Sequence, residues 1–215
     1  MGNSNGSPQQ PPNHVLTLEK AEELFQPYKA LLAECIQLAW DTWRDFYKSR
    51  HHILRSRSRA CIVYDEIVFN VGQKFAGLPD VVFKPFRSMF LLYIGKSITV
   101  RFKKFNKYGR CSNVKTRQQY LFGLQLQIPG MESGTMFQAG YMLDEVEQNI
   151  VTKALVCEFG NRVLYSIALL SGINAVIEIT PDPKPQPTKT ERFEVRPEAL
   201  PESEKEKKKR KQKED

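Results

Sequence analysis

The chain has 215 residues, 41% of them hydrophobic and 26% charged, with a net charge of +8 at pH 7. That apolar content excludes a wholly disordered chain, and the length suits one domain with a substantial core. No apolar run approaches the ~20 residues of a membrane span, and the opening MGNSNGSPQQPPN lacks the basic-plus-apolar layout of a signal peptide.

Residues 1–14 are mostly Gly, Ser, Asn, Gln and Pro and are expected to form a disordered arm. Gly6 stands where a myristoylation signal wants Ser or Thr. From Thr17, apolar residues recur in steps of three and four (Leu18, Ala21, Phe25, Tyr28, Leu32, Cys35, Ala39, Trp43, Phe46), which predicts an amphipathic helix with Thr17 as its N-cap. Pro27 should kink that helix or split it into a short piece and a longer one over about 28–50.

A basic run follows, and its secondary patch consists of Arg50, His51, His52, Arg55, Arg57 and Arg59. Cations at a helix C-terminus are locally favourable, so the run reads either as a solvated turn or as a second phosphate-binding surface. A further helix is expected over 58–76, where Val63, Ile67, Val71 and Phe75 repeat every four residues before Gly77 and Pro79.

Residues 81–131 then carry ten Lys or Arg and no acid. The 22 basic residues elsewhere fall two short of the 24 acidic ones, so the positive charge is concentrated in this segment. It reads as β: an apolar strand over 89–93, a turn at Gly95-Lys96, and an alternating strand over 97–106. Ile98, Val100 and Phe102 fall on one face, and Arg101 and Lys103 on the other, which is expected to point to solvent. Residues 106–110 are turn-like, and 116–122 suit a short helical segment. Leu124, Leu126 and Ile128 alternate with glutamines as in a half-exposed strand. Strands are also expected over 135–142, 150–159 and 162–170, the last two around Gly160-Asn161, with an edge strand over 173–179. Helices first and strands afterwards predict an α+β fold: N-terminal kinked amphipathic helices (15–80) on a mainly antiparallel sheet (81–180), between disordered N- and C-terminal arms. The tail, 181–215, has a proline at every second position from Pro181 to Pro187 and then becomes almost wholly charged. Lys207-Lys208-Lys209-Arg210-Lys211 within it resembles a nuclear-import or nucleic-acid patch.

The chemistry suggested is binding. Arg101, Lys103, Lys104, Lys107, Arg110, Lys115 and Arg117 are candidate phosphate contacts, and Tyr108 and Asn113 could add stacking or polar contacts. The expected function is non-catalytic contact with DNA, RNA or another polyanion through residues 96–117. The same cations could instead face acids such as Asp144, Glu145 and Glu147. An alternative is a protein-interaction regulator, of inhibitor, antitoxin or phage-defence type, whose basic face docks on an acidic partner or which self-associates as a homo-oligomer. A nuclease using Asp65, Glu66, Asp80 and Lys103 lacks the carboxylate expected on or beside the basic strand, and a Cys111 nucleophile lacks a His partner. No catalytic set, metal site or cofactor motif is evident. The four scattered cysteines read as reduced thiols, which suits a cytoplasmic location, or a nuclear one in a eukaryote.

Overall fold

The computed structural model describes residues 10–111, 116–160 and 162–169. Among these the fold is α+β, with four α-helices and one six-stranded, mostly antiparallel sheet.

Helix α1 (Leu18–Phe25) starts at Thr17, whose hydroxyl accepts a bond from the Lys20 N–H. The chain breaks around Pro27, and α2 (Lys29–Phe46) follows. A 3-10 turn (Lys48–Arg50) leads towards α3 (Ser56–Lys74). The helical stripes meet one sheet face: Phe25, Leu32, Ile36, Trp40, Val63, Ile67 and Val71 share a core with Val100, Phe102, Phe137, Tyr141 and Leu155. Phe25 meets Phe137 edge to face at 4.9 Å, a favourable arrangement for two rings in a core.

The strands lie in chain order across the sheet: β1 (Val81–Phe86), β2 (Met89–Ile94), β3 (Ile98–Lys104), β4 (Thr135–Leu143), β5 (Ile150–Phe159) and β6 (Arg162–Ala168). All neighbours pair antiparallel except β3 and β4, which run parallel. A parallel pair needs a crossover, and residues 105–134 provide it with α4 (Arg117–Gly123). Phe122, Ile128 and Met131 of this crossover pack with Leu91, Tyr93 and Met136 on the sheet face opposite the helices. The sheet is therefore covered on both sides. Gly140 allows the parallel pair to close up, since a Cβ there would lie 1.8 Å from the Lys103 carbonyl oxygen.

The structure adds one element to the sequence reading and corrects two expectations. The region 81–86, unassigned from sequence, is an edge strand among the described residues, where Pro85 is tolerated because one side of the strand has no described strand beside it. The alternation over 124–128 is not a strand. Gln125 takes a left-handed backbone (φ 54) and is buried, while Leu126 is exposed. The Gln125 amide exchanges two 2.8 Å hydrogen bonds with the Met136 backbone, so one side chain occupies the place of a strand neighbour. The other correction concerns Arg101 and Lys103, both expected to point to solvent: Arg101 is 4% exposed and Lys103 half-buried, because the crossover covers their face. The expected edge strand over 173–179 and the tail lie outside the described residues.

Candidate functional site

The sheet is split at its basic strand. β2 pairs with β3 only through Leu92↔Val100, Tyr93↔Thr99 and Ile94↔Ile98, whereas β3 pairs with β4 as far as Lys104↔Tyr141. Arg101 to Lys104 thus have a strand neighbour on the β4 side and none from β2. Tyr64 of α3 accepts a bond from the Phe90 N–H at 3.2 Å and so ties α3 to the diverging part of β2. The split opens a cleft of about 1280 Å³. Residues of α3, β3, the β4 end and α4 line it, which explains why side chains from both sheet faces meet there.

The cleft joins two stretches far apart in sequence. Arg57 comes from the secondary basic patch, and Arg101, Lys103, Lys104 and Lys107 from the basic band. Arg59 is bound to the same rim: its guanidinium donates to Glu147, whose other carboxylate oxygen accepts from Lys104 Nζ at 2.5 Å. Glu147 is held for this by the turn between β4 and β5. There Asp144 accepts from the Gln148 N–H at 2.7 Å and from the Asn149 amide at 3.0 Å. The hydrogen bond from Lys104, then that from Arg59, keep the Glu147 carboxyl below the ordinary range despite partial desolvation. The lining is mixed in charge, because Asp65, Asp144, Glu145 and Glu147 also contribute. Two of these are engaged: Asp144 within its own turn and Glu147 with Lys104 and Arg59.

Deeper in, Arg101 lies 3.9 Å from the Phe122 ring centroid and donates through Nη1 to the Gln119 side-chain oxygen. Its Nε and Nη2 have no hydrogen-bond partner among the described residues. Burial lowers its affinity for its proton, with Cys111 and Glu158 acting in the opposite sense. Lys103, two residues on and half-buried, is lowered by burial first and by Arg101 second. The Glu158 carboxyl is raised by burial, in spite of Arg101 and a hydrogen bond from Gln138.

The remaining candidates are more dispersed. Lys107 is exposed and sits 5.2 Å from the Tyr108 ring, in a turn where Asn106 accepts from the Tyr108 and Arg110 N–H groups. Arg117 is exposed at the start of α4 and does not line the cleft. Asn113 and Lys115 lie outside the described residues. Arg50, His52 and Arg55 are exposed in the α2–α3 connection, away from the cleft lining. His51 has a packing role: it stacks on Trp43 at 4.5 Å and its Nε2–H donates to the Trp43 carbonyl at 3.1 Å.

Of the nuclease candidates, only Asp65 and Lys103 reach the cleft. No group of three or more His, Cys, Asp or Glu among the described residues is arranged to hold a metal ion. Burial pushes the Cys111 thiol up, the reverse of an activated nucleophile. All four cysteines are reduced thiols. No described helix is long and apolar enough to cross a membrane.

The chain matches no family model, no curated protein and no solved structure.

Sequence reasoning did not single out Tyr64, Gln118, Gln119 or Glu158. Gln118 and Gln119 form a polar pair in the first turn of a short helix, and that pair was their only local signal.

Proposed function

We propose that this cleft binds nucleic acid, or another polyanion of extended form, without catalysing a reaction on it. The observation that carries this reading is the meeting of two basic stretches in one concave site. Arg57 comes from α3, Lys103 and Lys104 from β3, and Lys107 from the turn that follows it. A concave, low-dielectric site concentrates the field of its charges on a ligand more than a flat patch does, and two of the four acids in this mixed lining, Asp144 and Glu147, are already engaged within the protein. The site also favours a single strand over a duplex. Arg101 is nearly inaccessible at the inner end, so only a narrow, flexible chain could approach it, and Tyr64 in the lining offers a ring to an unpaired base.

Fluorescence anisotropy with labelled single-stranded DNA, single-stranded RNA and duplex tests this. The strands should bind more tightly than the duplex, with log K falling against log salt by roughly 0.7 per phosphate contact. No binding of any of the three at low salt would remove the reading. It would leave docking on an acidic protein as the alternative.

A further inference from the structure

Buried polar side-chain atoms without a partner number seven among the described residues, and three of them belong to residues that line the cleft: Arg101 Nε, Arg101 Nη2 and Gln118 Nε2. All three are donors. A buried donor left unmatched is costly, so such a cluster points to a group normally supplied from outside. The missing partner must be rich in acceptors.

The geometry of Arg101 narrows the choice. Phe122 covers one face of the guanidinium, and Gln119 engages Nη1. What is left is the Nε–Nη2 edge, the fork that takes two oxygens of one phosphate or carboxylate. Lys103 projects from the same strand face two residues on and forms no ion pair among the described residues. Glu158, the carboxylate whose charge acts on Arg101, accepts from Gln138 and forms no ion pair with Arg101 among the described residues. Two adjacent cations of low accessibility suit a phosphate monoester, which carries nearly two negative charges at neutral pH, better than a singly charged diester.

We propose that the inner end of the cleft captures the terminal phosphate monoester of a nucleic-acid strand, with Arg101 and Lys103 as its binding pair. This rests on the polyanion reading of the cleft and adds which part of the polymer enters. An internal diester would have to bring two chain arms to a residue that is 4% exposed, whereas a chain end brings one. The cleft, at about 1280 Å³, also exceeds the usual span of roughly 300–1,000 Å³ for small-molecule sites, which favours a strand end over a free phosphate.

The test compares short single-stranded oligonucleotides carrying a 5′-phosphate, a 3′-phosphate or hydroxyls at both ends, with a mononucleotide and inorganic phosphate as competitors. One phosphorylated form should bind on the order of tenfold or more tightly than the hydroxyl form, as two charge-assisted hydrogen bonds imply. Arg101→Met should abolish that preference while raising the melting temperature, since it removes a desolvated, half-satisfied charge. If Arg101→Met does not fold, Lys103→Met carries the test and should reduce the preference about threefold or more. Equal binding of all oligonucleotides would overturn the terminal-phosphate assignment and leave the polyanion reading standing. A preference that survives both substitutions would overturn it as well, and so would competition by mononucleotide at the same concentration as the oligonucleotide. Failure of every oligonucleotide to bind would overturn both readings.

Discussion

Glu158 and Arg101 share the sheet face beneath the crossover, and burial penalises the charge of each. Alternation in β3 assigned Arg101 to the correct face, opposite Val100 and Phe102, yet could not say what covers that face. The cover comes from residues about twenty positions later, and strand periodicity carries no information about a crossover. Charge reversal at Arg101, which a solvent-facing arginine would tolerate, would now place a carboxylate in a nearly dry site. Glu158 allows a cleaner test. Burial raises its carboxyl more than Arg101, the Gln138 hydrogen bond and Arg110 together lower it, and Cys111 is the thiol beside the same charges. The folded protein therefore holds this proton to higher pH than the unfolded chain. Stability contributed here is greatest below the unfolded value and declines as pH rises through the folded one. Glu158→Gln keeps an oxygen for Gln138 and removes the penalty. The variant should melt above the wild type at pH 7, and the gap should close near pH 3, below the unfolded glutamate range of about 4.3. Melts at the two pH values check this. A variant less stable at pH 7 would show that attraction to Arg101 outweighs desolvation.

Elements were legible where local chemistry is decisive. Thr17 as a cap, Pro27 as a break and the four-residue repeat from Val63 to Phe75 each act within one or two turns, and the helices follow them. Illegible elements depend on distant partners. Gln125 is buried because the Met136 backbone has an edge for its amide, so a polar residue faces inward where alternation places an apolar one. The turn between β4 and β5 is similar. The sequence offers Glu147 as one of the acids that the basic residues could face, and in the fold it does so for Lys104 and also takes Arg59, tying α3 to β3. The pairing is intramolecular neutralisation of the cleft rim. Glu147→Gln should release both cations, strengthen strand binding severalfold and steepen the salt dependence by roughly 0.7 for each cation that gains a phosphate. Thermal stability should fall by only about 1 kcal/mol, because the pairs are partly exposed. Anisotropy titrations at several salt concentrations measure the first effect and melts the second. Unchanged affinity would mean that Lys104 and Arg59 take no part in binding.

At the scale of the whole molecule, charge was legible as an amount and not as a shape. The sequence shows two basic runs separated by an acid-bearing helix, and composition cannot say whether they cooperate. The split between β2 and β3 decides it for some residues and against others. Arg57 and Lys107 enter the lining of one cleft, whereas Arg50 and Arg55 stay in the exposed connection beyond it. If affinity came from diffuse attraction to a chain of net charge +8, reversing any two exposed cations would weaken binding equally. If the cleft is the site, position matters more than sign alone. Arg57→Glu with Lys107→Glu should therefore lower strand affinity by about tenfold or more at moderate salt, and reduce the salt slope by roughly 1.4, two contacts' worth for a single strand. Arg50→Glu with Arg55→Glu makes the same change in net charge and should leave the slope nearly unchanged. All four positions are exposed, so neither pair should disturb the fold, and matched melting curves would establish that the comparison concerns binding. Equal losses in the two double variants would assign the interaction to net charge and remove the cleft from the account.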